Sequence, residues 1–502
     1  MSAEADDRTV AGVDLGSNSF HMIVARLDDG TVHVVDRLRE RVRLAAGFDE
    51  ERNLSDEAQE RALQCLERFG QRIRHMRADG VRAVGTNTLR QAGNGAVLLE
   101  RAGQALGHPI EIIAGREEAR LIYLGMAHTM AGEGERRFVV DIGGGSTECI
   151  VGQGFDVLAA DSLHMGCVAY SLRFFPDGTI TKEAFREARL AAQLELEAVA
   201  PAYRRLGWRS AVGCSGTAHA IHQIGRANGW SDGGITPKSL KKLRKTLIAA
   251  GNAAEIQLPG LKEDRRPVIA GGAAIMEAVC STLKLDEVEP SPGALREGLL
   301  YDQVKRLHHE DVRERTIRWF CERYGVDTEH AAQVEATALR LLDQVAEAWD
   351  LGHGWSARLL SWASRLFEIG LSVSHASYHK HGAYIVAHAD MAGFSRDDQV
   401  ALAAVIRSHR RKLSPSLFGD LSPRQAERVC RLCVLFRIAL RLHRSRLAEP
   451  APPVAATAKN ARLRLSFPAG WLVERPLTQA GLEHEARMFK AIGYELHWDG
   501  DG

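Results

Sequence analysis

One short frame occurs twice in this chain. Val13-Asp14-Leu15-Gly16-Ser17-Asn18-Ser19 and Val140-Asp141-Ile142-Gly143-Gly144-Gly145-Ser146 both read apolar-Asp-apolar-Gly-x-x-Ser, each between apolar, strand-like runs. A frame repeated in corresponding surroundings calls for a fold that contains one architectural unit twice. An Asp at the end of a buried strand, followed by a turn of small residues, suits one chemistry. The small residues let backbone N–H groups approach phosphate oxygens, and the carboxylate holds a hydrated divalent cation. Two such turns facing each other make a cleft for a phosphate chain. Ser17, Asn18 and Ser19 on one wall, with Gly144, Gly145 and Ser146 on the other, are the candidate phosphate-binding residues. Asp14, Asp141 and Glu148 are the candidate carboxylates for Mg2+, directly or through water.

The surroundings of both frames read as α/β. Val10 to Leu15, Phe20 to Arg26 and Thr31 to Val35 alternate like a hairpin. Ser55 is placed to cap a helix carrying Ala62, Leu66, Phe69, Ile73 and Met76. Strand-like 81–84 and 110–113 lead into turns and helices, the second helix carrying Glu117 and Glu118. The plan recurs with 138–142 and 148–151, a helical stretch over 182–205, and a strand-to-helix turn at Gly213-Cys214-Ser215-Gly216-Thr217. Past about residue 305 strand signals stop. Val334, Ala338, Leu341, Val345 and Trp349 mark an amphipathic helix, and residues 359–447 read as several more. Pro450, Pro452 and Pro453 make a linker before the strand-like 463–467.

Bulk properties narrow the classes. A chain of 502 residues should form roughly three or four domains. The eight cysteines are scattered, which suits a reduced compartment, and Cys430-x-x-Cys433 lacks a second pair to complete a zinc site and reads as helix packing. The first ten residues are acidic and polar, unlike a signal peptide, and no run is apolar enough to span a membrane, so a cytoplasmic protein is expected. Net charge is +1, but residues 401–450 hold eleven Lys and Arg against Asp420, Glu427 and Glu449. Such a block suits an extended polyanion, or a solvated helix face. No nucleic acid is expected as partner, and nothing in the sequence points to membrane contact.

A polyphosphate needs cationic partners. Arg90, after the turn at Thr86–Thr88, can offer a bidentate fork to a phosphate, or stand as a surface helix arginine. Hydrolysis also needs a group to activate water. Glu118 and Glu117 both lie in the first turn of a helix beside a strand end, and sequence physics does not choose between them. His375, His379, His381, His388, Asp390 and His409 suggest a second metal site, but fit a surface helix pair better.

Taken together, these motifs resemble the exopolyphosphatase/guanosine pentaphosphate phosphatase family. The resemblance rests on Asp14 to Met22, Thr88 to Ala92, Glu117 to Ile122, Asp141 to Glu148, Met165-Gly166-Cys167, Ser215-Gly216-Thr217 and Gly293 to Gly298. It covers nearly the whole chain and implies duplicated actin-like domains of the sugar-kinase and chaperone-ATPase class, with a ribonuclease H-like core, at 1–124 and 125–304. An all-α domain like the His-Asp phosphohydrolases at 305–448 and a small α+β domain at 449–502 would follow. The resemblance further implies that Glu118 activates water and Arg90 holds a phosphate. Asp141 and Glu148 would bind Mg2+, and Gly216 and Thr217 would join the phosphate-binding set. It implies a homodimer whose basic helical domains lengthen a path for polyphosphate. Where the related phosphohydrolases carry a His-Asp doublet, this chain has Arg365-Leu366-Phe367-Glu368-Ile369-Gly370, so a second hydrolase site is not expected.

The expected activity is Mg2+-dependent, processive release of orthophosphate from the end of inorganic polyphosphate. Gly145 and the spelling Thr88-Leu89-Arg90-Gln91-Ala92 incline the reading that way. The alternative keeps the chemistry with guanosine pentaphosphate as substrate. A kinase or ATPase, gripping adenosine at Gly213–Thr217, is a third possibility, and a non-catalytic, nucleotide-operated scaffold a fourth.

Overall fold

A computed structural model describes residues 9–28, 31–49, 51–130, 134–307, 311–352, 354–446 and 454–499. The proline linker and most of the acidic N-terminal segment lie outside the described residues. The chain forms two compact units, Met1–Asp311 and Val312–Gly502.

The first unit holds two five-stranded sheets with the same plan. In the first, β1 (Thr9–Leu15), β2 (Ser19–Asp28), β3 (Thr31–Arg41), β4 (Val81–Gly85) and β5 (Ile110–Ile112) are ordered β3-β2-β1-β4-β5. In the second, β6 (Arg136–Ile142), β7 (Thr147–Gln153), β8 (Asp156–Leu163), β9 (Ser210–Gly213) and β10 (Glu289–Pro290) run β8-β7-β6-β9-β10. In both, the first three strands form an antiparallel meander and the other two add in parallel. The repeated frame is thus the β1–β2 and β6–β7 turn of a duplicated, actin-like topology.

β3 continues to Arg41, well past Val35 where its apolar alternation stops. It is an edge strand, and Arg37, Arg39 and Arg41 keep the period of two with charges in place of apolar groups. The helix Asp56–Ile73 forms as its spacing predicts. Ser55 accepts a hydrogen bond from the Ala58 N–H, and Ala62, Leu66, Phe69 and Ile73 are buried against the first sheet.

The helix Leu295–Leu307 closes the first half. Leu300 is buried with Val10, Ile23 and Ala25 of β1 and β2. The same helix crosses Gly115–Thr129 at such close range that a Cβ on Gly298 would fall 1.9 Å from the Leu121 carbonyl oxygen. A boundary at 304, drawn from sequence, cuts through this helix, whose Leu295 and Leu299 also share a core with Val139, Ile150 and Val212 of the second sheet. The first half recovers its last element from residues 295–307 because its own strands leave an apolar face uncovered.

The second unit contains the helices Val312–Tyr324, Thr328–Val345, Gly354–Leu366, Tyr378–His388, Arg396–Ser408 and Pro423–Leu442. They are followed by β11 (Ala455–Lys459), β12 (Arg462–Ser466), the helix Pro476–Lys490 and β13 (Glu495–Asp499). The tail does not stand apart. Leu463, Leu465 and Phe489 share one continuous core with Trp349, Trp362, Phe394 and Phe436 of the helices. Cys430 and Cys433 are buried in that core. The surface reading of the histidines fails for two of them, because His379 and His409 are buried.

Much of the basic block turns inward or pairs locally. Arg437 is fully buried, with Nε 2.6 Å from Glu485 Oε2 and Nη1 donating to the Ser408 carbonyl. Arg441 pairs with the other oxygen of Glu485 at 2.6 Å, and Arg428 with Asp350 at 2.8 Å. Arg446 pairs with Glu368, within the stretch 365–370 that carries no His-Asp doublet. Among the described residues no helix is long and apolar enough to cross a membrane.

Candidate active site

The two turns meet across a cavity of about 170 Å³ in the first unit. They are packed closely: a Cβ on Gly144 would lie 3.0 Å from Ser17 Cβ, and one on Gly145 would lie 2.7 Å from Asn87 Oδ1. In both turns the carbonyl oxygens are taken up by neighbouring backbone. Val42 and Arg43 donate N–H bonds to the Asn18 carbonyl at 3.2 and 2.9 Å, and Ala45 donates to Ser17 at 3.0 Å. In the second turn the Gly144 carbonyl accepts from Val168 and Ala169 at the start of the helix Cys167–Phe174. With their acceptors occupied in this way, the turns have N–H and hydroxyl donors to offer an anion.

Most of the expected residues come together. Asp14, Ser17, Asn18, Ser19, Glu118, Asp141, Gly144, Ser146, Glu148 and Gly216 line the cavity. Gly145 and Thr217 do not: Gly145 packs on Asn87, and the Thr217 hydroxyl is buried and donates to the Ile142 carbonyl at 3.0 Å. Arg90 is also outside the lining. Its Nη1 donates to the Ile113 carbonyl at 2.6 Å and lies 3.6 Å from Glu118 Oε2, beside the glutamate expected to activate water.

The cations that do face the cavity are Arg265 and Arg296, which the sequence reading did not assign. Arg296 Nη1 donates to His21 Nδ1 at 3.2 Å. Burial, then Arg296, Arg39 and Arg265, push the His21 imidazole down to about 3, so it is a neutral acceptor. Arg296 was within reach of sequence reasoning, since Gly293 to Gly298 is one of the motifs. Arg265 sits in a short polar connection with no such signal. Its guanidinium lies on the third turn: a Cβ on Gly216 would fall 2.1 Å from Arg265 Nη2.

The structure separates the two candidate glutamates. Glu117 is bound by Arg120 at 2.7 Å and faces Arg82 at 3.5 Å, and both arginines pair with Asp302 at 2.5 Å. Burial works against its charge, but Arg120 and Arg82 outweigh it and hold Glu117 below the usual carboxylate range. Glu118 faces the cavity instead. Burial, and then the charge of Glu148, raise it well above its ordinary value; Asp14 and Asp141 add to this while Arg90 opposes it.

Burial also lifts Asp14 to about 7 and Asp141 to about 8, with Glu148 adding to both. Glu148 is raised chiefly by burial, against hydrogen bonds from Ser162 and Ser146. Asp14 Oδ1 and Glu118 Oε2 are buried without a hydrogen-bond partner among the described residues. Crowded carboxylates with orphaned oxygens fit a hard divalent cation. Among the described residues no three His, Cys, Asp or Glu side chains are grouped so as to hold a metal ion together. An open arrangement of one or two carboxylates, completed by water and phosphate oxygens, is the habit of Mg2+.

Comparison with known proteins agrees with this architecture. Residues 23–307 match the model of the Ppx/GppA phosphatase family, and residues 312–486 match Ppx/GppA phosphatase, domain III. A Vibrio cholerae protein named guanosine-5'-triphosphate,3'-diphosphate pyrophosphatase is 40% identical over 499 residues, 99% of each chain. The solved Aquifex aeolicus PPX-GPPA enzyme is 28% identical with a TM-score of 0.50, covering 58% of this chain and 98% of its own. An exopolyphosphatase from Cytophaga hutchinsonii, 23% identical, has the same fold with a TM-score of 0.55 over 60% of this chain and 98% of its own. The chain belongs to the Ppx/GppA phosphatase family, hydrolases acting on phosphoanhydride bonds.

Proposed function

We propose that this chain removes the terminal 5'-phosphate of guanosine pentaphosphate, releasing orthophosphate, with Mg2+ as cofactor. The observation that carries the reading is the 40% identity, along 99% of both chains, with the Vibrio cholerae protein of that substrate name. The sequence had favoured inorganic polyphosphate on Gly145 and the spelling of Thr88–Ala92. Gly145 lies against Asn87, and Thr88 and Leu89 are buried away from the cavity lining, so that preference loses its support.

In this mechanism the terminal phosphoryl group is held between the two turns by the N–H groups of Gly16 to Ser19 and Gly144 to Ser146. Glu118 accepts a proton from a water molecule as that water's oxygen bonds to the terminal phosphorus. The bridging P–O bond breaks, and the remaining nucleotide leaves with the oxygen. Arg265 and Arg296 balance the charge that gathers on the phosphate oxygens. Arg90, at 3.6 Å, favours the ionised form of Glu118 against its burial. Bound Mg2+, held by one or two of Asp14, Asp141 and Glu148 and otherwise by water and phosphate oxygens, would neutralise phosphate charge and draw those carboxylates into their ionised forms. The guanidinium covering Gly216 favours a phosphate there over the adenosine of a kinase.

Inorganic polyphosphate is the second reading, because the cavity grips a chain end; a solved exopolyphosphatase-like protein, 27% identical, has a TM-score of 0.55. The proposal also places the protein as a cytoplasmic homodimer. The test is phosphate release with Mg2+ from guanosine pentaphosphate and, separately, from long-chain polyphosphate. Glu118→Gln should lower turnover by about a hundred-fold or more on the preferred substrate, while Glu117→Gln acts on stability. Release unchanged by Glu118→Gln would overturn the mechanism; faster release from polyphosphate would exchange the two substrates.

A further inference from the structure

The far side of β2 from β1 carries a row of arginines that the mechanism does not use. In the β2–β3 ladder Ser19 stands opposite Arg41, His21 opposite Arg39 and Ile23 opposite Arg37. Directly opposed residues share a face of the sheet, so this row continues the wall on which Ser19 and His21 line the cavity. From Arg37 to Arg41 it extends about 13 Å at ~3.3 Å per residue. Few acids balance it. Asp264 lies 3.6 Å from Arg39 and 2.8 Å from Arg41, and Glu297 lies 3.6 Å from Arg37. Burial, and then Arg265, Arg41 and Arg296, pull the Arg39 guanidinium below its ordinary value.

Past the end of the strand the row opens into a pocket lined by Arg41, Val42, Arg43, Ala46 and Arg61. Among the described residues no acidic side chain lines it. Arg43 forms no ion pair among the described residues and adopts a left-handed backbone, φ 50° and ψ 47°. A residue with a Cβ is held in that conformation at a cost. The constraint is visible: the Val42 and Arg43 N–H groups both bind the Asn18 carbonyl of the first phosphate turn. The arginine pocket is therefore built onto the turn that grips the scissile end.

We propose that Arg41, Arg43 and Arg61 form a second anion subsite that takes a pyrophosphoryl group of the substrate other than the one being hydrolysed. Resting on the function proposed above, its occupant is the 3'-diphosphate of the guanosine nucleotide. The internal phosphates of a polyphosphate offer the same chemistry, and the experiment separates the two sources.

Arg43→Gly suits the test, since glycine is at home at positive φ and only the guanidinium is lost. Arg41→Gln is the second variant. Hydrolysis is measured on guanosine pentaphosphate, on GTP and on long-chain polyphosphate. Binding of guanosine tetraphosphate and of GDP is measured by calorimetry, which needs no turnover. Each variant should lower kcat/KM for guanosine pentaphosphate about ten-fold, mainly through KM, and weaken guanosine tetraphosphate by a similar factor. GTP and GDP should be unaffected. Equal losses with GTP, or no loss with any ligand, would overturn the subsite and leave the proposed function standing. Losses confined to polyphosphate would overturn the nucleotide as occupant. If guanosine pentaphosphate is not hydrolysed, yet both variants weaken guanosine tetraphosphate and spare GDP, the subsite stands and the proposed function falls.

Discussion

Two arginine-rich stretches of this chain stand in different electrostatic company. On the helix Pro423–Leu442, Arg437 and Arg441 share Glu485, Arg428 meets Asp350, and Arg431 meets Glu427. On β3 and beside it, Arg39, Arg41, Arg265 and Arg296 crowd one another, with Asp264 and Glu297 as their ion-pair partners and the buried Asp14 and Asp141 facing Arg296 in the cavity. A charge count along the sequence ranks the first stretch as the polyanion site. Partners drawn from distant segments reverse that ranking. Local density of charge says little about a binding surface until the acids folded against it are known.

The largest expected effect tests the neutralised stretch. Arg437→Met leaves Glu485 buried with one partner, and should lower unfolding free energy by about 3 kcal/mol in urea titrations while turnover per folded molecule is retained. A loss of turnover without a loss of stability would break the contrast. Next comes the cleft, where Arg296→Gln should reduce kcat/KM by about a hundred-fold with little change in the unfolding midpoint. Since Arg296 lowers Asp14 and Asp141, the same variant should move the acid limb of the pH–rate profile upward.

A third prediction concerns the carboxylates between those arginines. Burial, then Glu148, raises Asp141 from 3.8 to about 8, so between those values the folded chain holds a proton that the unfolded chain has released. Stability of the metal-free protein should therefore fall as pH rises across that window. Thermal melts in chelator should show the decline, Mg2+ should oppose it, and Asp141→Asn should flatten it. Rising stability over the same range in chelator would refute the assignment. The smallest effect is at the surface: Arg424, exposed and 3.8 Å from Asp350, should tolerate Gln within about 0.5 kcal/mol and without change in turnover.

The legible part of this molecule was what short-range pattern encodes. The paired turns, the capped helix at Ser55 and the Asp14–Asp141 correspondence follow from residues a few positions apart. Arg265 was not legible, because its place in the cleft depends on the third turn at Gly216 lying beneath it. The choice of Glu118 over Glu117 came from the family resemblance and not from sequence physics, because Arg82 and Asp302, which set Glu117 apart, lie on separate elements. β3 was read short because arginines carried its period after the apolar residues ended. The tail was read as separate because Leu463 and Phe489 reveal their partners only in the folded core.

The return of Leu295–Leu307 to the first sheet also sets an order of events during synthesis. Val10, Ile23 and Ala25 emerge early, yet the Leu300 that covers them is made some 275 residues later. At about 5–20 residues per second the wait is roughly 14–55 s. Through that interval a finished sheet would show a bare apolar back to the cell, a natural target for chaperones. Nascent chains arrested before residue 295 should be captured by a holdase, and chains arrested well beyond 307 should escape it; equal capture of both would mean that the first sheet does not form until its last helix arrives.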